Sequence, residues 1–175
     1  MRSLVLLIAL MLFVQTASGQ KNPVDVVFDK YSGKDGITTV FISGKMLSMV
    51  STVSQENREF SDVVGNLTAI RILSVDDQEQ IGKINLYAEL SGSLNTREYE
   101  ELMVINEGKE TVRFYIRESG SYIAELVMVT SGASSSLISI RGKIDLKTIS
   151  ALSKSLGIEE LESLEQVNRK KEVKK

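Results

Sequence analysis

The sequence predicts an α+β fold: a single domain on a mainly antiparallel sheet of about six strands, with helices on one face. Three observations carry that expectation. Apolar residues recur with a helical period through Val24–Tyr31, and the pattern turns to β-branched runs at Ile37–Ser43 and Leu67–Val75. From Tyr99 onward the period becomes two, with turn residues at short spacing between successive runs. The composition, 42% apolar and 25% charged over 175 residues, is that of one globular domain with a real core.

The chain opens on a leader. Arg2 precedes the apolar run Leu4–Val14, and Ala17 and Gly19 place small residues at the −3 and −1 positions of a signal-peptidase site. Eleven apolar residues are too few to cross a hydrocarbon core of ~30 Å. The expected organisation is a signal peptide over 1–19, cleaved after Gly19, an α+β domain over 20–157, and a charged C-terminal helix or tail over 158–175.

Asn22 caps the first predicted helix, Pro23 occupies its first position, and Val24, Val27, Phe28 and Tyr31 form its apolar stripe. Ser32-Gly33 ends it, with Gly33 in the left-handed position that follows a helix. A turn at Lys34-Asp35-Gly36 leads into the strand Ile37–Ser43. Met46, Leu47, Met49, Val50 and Val53 then read as a helix, Ser54–Glu59 as a loop, and Phe60, Val63 and Val64 as a helical turn closed by Gly65-Asn66. Leu67–Val75 is a strand apolar on both faces, Arg71 excepted.

Asp76 and Glu79 have capping-box spacing ahead of a helix with Ile81, Ile84 and Ala88 in one stripe, broken by Ser91-Gly92-Ser93. Glu101–Ile105, Val112–Arg117, Tyr122–Thr130 and Leu137–Arg141 then predict an antiparallel meander with one solvated face. Asp145 opens a last helix with Leu146, Ile149, Leu152 and Leu156 inward, stopped by Gly157.

The residues that are missing exclude whole chemistries. The chain has no His, no Cys and no Trp. Cysteine nucleophiles, histidine-based triads, disulfides and thiolate or imidazole metal sites are therefore ruled out within it. An exported chain without disulfides takes its stability from packing. No lipid can be attached through an N-terminal cysteine, because none exists.

Gly44-Lys45 and Gly142-Lys143 fail the phosphate-loop pattern: Thr39 and Leu137 stand where its first glycine belongs, and Met46 and Ile144 where it needs Ser or Thr. No dinucleotide fingerprint is present, so no cofactor is expected. The similarity of Phe41–Met46 to Ser139–Ile144 suggests either a duplicated unit or a shared glycine turn closing each strand.

Asp76, Asp77 and Glu79 read as helix-start acids more than as a calcium site. Glu98, Glu100 and Glu101 read as guards of an edge strand more than as an acid–base pair. Arg113, Tyr115 and Arg117, with Tyr122 nearby, form a basic and aromatic strand face that suits an anion or, more simply, cross-strand pairing. Export and the negative net charge argue against nucleic acid. The bases from Arg169 to Lys175 are matched by nearby glutamates, and Asn66-Leu67-Thr68 is a glycosylation sequon by pattern.

A resemblance joins these readings. Phe28-Asp29-Lys30-Tyr31 and Val40-Phe41-Ile42-Ser43 with Met46-Leu47 are similar to the start of the bacterial envelope family called domain of unknown function 4252. Tyr99–Val104 and Ile123–Val127 resemble its central strands, and Ile138–Asp145 its last strand-to-helix turn. The resemblance covers roughly Pro23 to Leu156 and implies an exported protein of Gram-negative bacteria with no established activity. It brings over no catalytic residues. Family members are often lipoproteins, a route closed to this chain.

The expected function is a non-catalytic periplasmic or secreted module that binds another envelope component, with no catalytic, cofactor or metal residues assigned. The rival is a carboxylate-dependent hydrolase of cell-wall or glycan substrates, which requires a cleft with convergent acids or a buried lysine. A third reading holds the protein peripherally on an anionic membrane by its basic tail.

Overall fold

The computed structural model describes residues 21–53, 58–76, 79 and 83–145. One antiparallel sheet organises them, in the strand order β1-β2-β6-β5-β4-β3. The strands are β1 (Ile37–Ser43), β2 (Leu67–Val75), β3 (Glu100–Glu107), β4 (Glu110–Ser119), β5 (Tyr122–Ser131) and β6 (Ser136–Ile144). The helices are α1 (Pro23–Tyr31), α2 (Gly44–Val53), α3 (Arg58–Gly65) and α4 (Leu86–Ser91). The chain belongs to the α+β class that its periodicity predicts. β3 to β6 run as the expected meander, and β6 returns to lie beside β2.

Alternation along the strands sorts the apolar residues into two cores. Ile70, Phe114, Leu126, Met128, Ile138 and Ile140 face one side, where Leu47 of α2 and Val63 and Val64 of α3 meet them. Leu73, Val127, Val129 and Leu137 face the other, under Val24, Val27 and Phe28 of α1 and Leu86 and Leu90 of α4. Helices therefore cover both faces, which corrects the expected one-sided arrangement. β2 shows why: a strand apolar on both faces must be buried on both.

The helix boundaries follow local chemistry. Asn22 caps α1 through its side-chain oxygen, 2.9 Å from the Val24 amide, and Gly33 takes φ 75° just beyond its end. α2 and α3 are tied by reciprocal bonds: the Ser51 hydroxyl donates to the Ser61 carbonyl at 2.8 Å and the Ser61 hydroxyl to the Ser51 carbonyl at 2.6 Å. α3 starts at Arg58, inside the segment expected to be loop.

α4 differs from its expectation. Asn85 caps it by accepting from the Ala88 amide, so the helix starts at Leu86 and buries Leu86 and Leu90, while Ala88 is exposed. The stripe through Ile84 and Ala88 is thus displaced by a cap the periodicity did not use. The leader, the helix expected from Asp145 onward and the charged tail over 158–175 lie outside the described residues, as do Asp77 and Ile81.

The two Gly-Lys turns are not equivalent. Gly44 begins α2, whereas Gly142 sits within β6, which continues to Ile144, so the expected strand ending there is corrected. Gly142 has φ 151° and lies opposite Leu67, where the register shifts, and a β-carbon on it would overlap the Asn66 carbonyl. A β-carbon on Gly44 would come within 2.8 Å of the Thr68 carbonyl. The two glycines flank the entry to β2, Gly142 from β6 and Gly44 from the start of α2, and close backbone approach explains both without a duplication.

The contrast with Gly33 gives a test. A β-carbon on Gly33 meets nothing within 4 Å. Gly33→Ala should cost about 1 kcal/mol through its left-handed backbone alone. Gly142→Ala should cost at least about 3 kcal/mol, because backbone atoms must move as well. Thermal melts of the two variants will show whether that order holds.

Candidate functional site

On the face under α1, a row of polar residues crosses the middle of the sheet. Arg117, Glu125 and Arg141 are direct register partners across β4, β5 and β6. Glu125 has no exposed surface, although it sits within the otherwise apolar run Ile123–Val129. Burying a lone carboxylate costs several kcal/mol, so its partners decide whether the strand can exist.

Both oxygens are well supplied. Oε1 accepts from the Ser139 hydroxyl at 2.7 Å and from Arg141 Nε at 2.9 Å. Oε2 accepts from the Tyr99 hydroxyl at 2.7 Å and Asn22 Nδ2 at 2.8 Å, with Arg117 further off at 3.4 Å. Asn22 Nδ2 also donates to the Tyr99 hydroxyl at 2.9 Å, so the residue that caps α1 pins that helix to the buried charge.

The network continues outward. Arg141 reaches Asp25 of α1, its terminal nitrogens 2.9 and 3.1 Å from the two carboxylate oxygens. Asp25 also accepts from Arg71 at 2.8 Å, and the Arg71 guanidinium lies 5.8 Å from the Phe28 ring centre and 5.2 Å from that of Phe41. Charges thus alternate from Arg117 through Glu125, Arg141 and Asp25 to Arg71.

Burial alone would raise the Glu125 pKa. The Arg141 charge and the bonds from Ser139, Tyr99 and Asn22 outweigh it, holding the carboxyl below the ordinary carboxylate value. Burial, and then the Glu125 charge, push the Tyr99 hydroxyl above the ordinary phenol value, so it stays a donor. For Arg141, burial opposes the charge, but Asp25 and Glu125 prevail and raise its pKa.

The basic and aromatic strand face singled out by the sequence is engaged with its own neighbours. Arg113 pairs with Glu101 at 2.9 Å and lies 5.0 Å from the Tyr87 ring centre of α4. The Tyr115 hydroxyl donates to Glu101 at 3.2 Å and is pushed up to about 12, by burial first and then by Tyr87 and Glu101. Arg117 belongs to the buried network. Tyr122 stands apart, with Lys143 5.6 Å from its ring centre. The face is half-buried beneath α4, which corrects the expectation of a solvated side.

The acid cluster is likewise divided. Glu101 faces Tyr115, Glu100 is opposite Ile116 on the other face, and Glu98 accepts from Asn95 at 3.0 Å. Two grooves of about 530 and 540 Å³ flank Arg117, the first bordered by Arg97, Glu98 and Glu100, the second by Asn22, Ser93 and Asn95. A third groove, of about 520 Å³, is apolar and is bordered by Phe41, Met46, Leu47, Val50, Phe60 and Ile70. Among the described residues, no group of three or more acids is arranged to hold a metal ion. No helix among them is long and apolar enough to cross a membrane.

Sequence reasoning passed over Glu125, Asp25 and Arg141. The available signal was one acid inside the otherwise apolar run Ile123–Val129, a position that demands a partner.

Taken together, these features define a single-sheet α+β domain cross-braced by one buried polar network. The chain matches the family described as Domain of unknown function (DUF4252) over residues 31–152 and belongs to that family, as the resemblance in its strands implied. No curated protein and no solved structure matches it.

The network's role is testable through pH. The Glu125 pKa is lower in the folded chain than in the unfolded one. Its stabilisation is therefore complete above the unfolded value of about 4.3 and is lost as pH falls through the folded value. Glu125→Gln should cost about 3–5 kcal/mol at pH 7 and flatten the acid limb of a Tm-versus-pH curve. An unchanged acid limb would place the titrating group elsewhere. Glu125→Leu combined with Arg141→Met should recover at least half of what Glu125→Leu alone loses, measured by denaturant unfolding.

Proposed function

We propose that this chain is an exported, non-catalytic module that binds another component of the bacterial envelope, a protein, through an apolar surface on α2. The observation that carries the reading is an exposed apolar stripe along that helix, beside an apolar groove. Met46 is 53% exposed, Met49 56% and Val53 84%. Met46, Met49 and Val53 form one stripe along α2, and Met46 stands on the border of the apolar groove with Leu47, Val50 and Phe60. Single exposed apolar residues are ordinary, but a patch of a few hundred Å² beside a groove marks a docking surface. Unbranched methionines suit it, since they reshape to fit a partner. Support for export comes from the leader sequence over 1–19.

The hydrolase reading draws less support. Its acid and base would have to converge in a cleft. Glu125 is enclosed and held ionised by arginine; Glu98 and Glu100 border one groove, but Glu98 is bonded to Asn95 and Glu101 lies on the other face of the sheet. The tail on which peripheral membrane contact would depend lies outside the described residues.

Cross-linked capture from envelope extracts tests the proposal. Wild-type protein should recover a reproducible protein partner. Met46→Lys and Met49→Lys should each reduce its recovery about tenfold, while Arg97→Ala retains it. Recovery of nothing under mild cross-linking, or equal recovery by all variants, would overturn the reading.

A further inference from the structure

We propose that β1 pairs antiparallel with β1 of a second copy about a two-fold axis at Val40, joining the two sheets into one. This inference goes beyond the binding reading, since it concerns the open edge of the sheet and not the groove beside α2.

The two edges of the sheet are built differently. β3 carries exposed Glu100, Glu101 and Glu107, and its register shifts between Glu101 and Met103. Charges and bulges of this kind keep an edge strand from pairing with other chains. β1 has neither. Its seven residues include no charge and no proline, and its pairing with β2 runs without a shift from Ile37 to Ser43. The Ile37 amide donates to the Lys34 carbonyl at 3.2 Å, and beyond it the outward backbone groups of Thr39, Phe41 and Ser43 form a regular template among the described residues. Val40 and Phe41 stand exposed along it, at 38% and 59%.

A second copy fits this edge for three reasons. Val40 is the middle residue of β1, so a two-fold axis there uses the whole strand, and any other centre shortens the overlap. That register sets Thr39 opposite Phe41 of the second copy, and Thr38 opposite Ile42. These are the β-branched and aromatic pairings that stabilise antiparallel strands. No charge lies where it would meet its own image across the axis, which is the device that usually prevents self-pairing.

The flanking sequence agrees. The same register brings the end of one strand, which follows Asp35, against the end of the other, from which Lys45 emerges, and does so twice by symmetry. Lys34, also at that end, lies 5.0 Å from the ring centre of Tyr31. Pairing β1 with β3 of another copy would instead set three glutamates against an uncharged strand and leave an open-ended chain of molecules. The two-fold arrangement closes.

The contact is modest in area, so a dissociation constant of about micromolar order is expected. Sedimentation equilibrium of the purified protein should show dimer at about 100 μM. Val40→Lys should be monomeric there while keeping the wild-type circular dichroism spectrum. Register can be read independently, because the chain has no cysteine of its own. Val40→Cys places two thiols opposite each other, with Cα atoms about 4.5–5.5 Å apart, and should oxidise to a covalent dimer. Thr38→Cys, also exposed, places them about 14 Å apart along the strands and should not. Wild type that stays monomeric, Val40→Lys that stays dimeric, or equal cross-linking of the two cysteine variants would each overturn the proposal. None of these outcomes bears on capture of an envelope protein by α2.

Discussion

Glu125 is a full negative charge in the middle of a sheet, with no surface open to water. Such a group is tolerated only when donors fill its lone pairs and opposite charge stands beside it. The donors come from distant parts of the chain: Asn22 before α1, Tyr99 before β3, Ser139 and Arg141 on β6, and Arg117 on β4. The strand order and the seating of α1 must therefore all be correct before this one carboxylate is satisfied. Sliding α1 along the sheet would separate Asn22 from Glu125 and Asp25 from both of its arginines. A register slip in β6 would remove Arg141 and Ser139 together, since a shift of one residue turns every side chain to the other face.

The two cores thus contribute different things. The core under α2 and α3 is built mainly of apolar side chains, and apolar contacts tolerate small displacements. The face under α1 and α4 combines apolar packing with hydrogen bonds that require defined distances. The first supplies non-directional burial and the second supplies alignment. This division suits a chain without disulfides, in which side chains alone must hold the sheet in register.

What could be read beforehand follows from how local each signal is. The Asn22-Pro23 cap, the stripe from Val24 to Tyr31 and the alternation in Val112–Arg117 are complete within a few residues, and all three appear in the structure as expected. The number of covered faces was not local, although β2 carried the clue in Ile70 and Ile72 alternating with Leu73 and Val75. The polar network was the least legible part. Asp25 and Arg141 are 116 residues apart, and each alone looks like an ordinary charge, one in a helix's first turn and one near a strand end. Arg113, Tyr115 and Arg117 looked like a surface because alternation shows which residues share a face, but not which helix lies on it. Tyr87 of α4 settles that question at Arg113.

The same reasoning explains why the most polar part of the molecule is a poor place to seek its activity. A catalytic acid needs a proton that can move and room for a substrate beside it. Glu125 has neither, because each oxygen is occupied and the arginines favour its ionised form. Its charge is spent on holding the sheet together. Surface left without internal partners is found at the opposite side of the sheet, where an uncharged edge strand adjoins a helix that shows two methionines and a valine to solvent. Keeping such residues exposed carries a risk of aggregation that a purely structural domain has no reason to run. That exposure is accounted for if the surface is covered when the protein works.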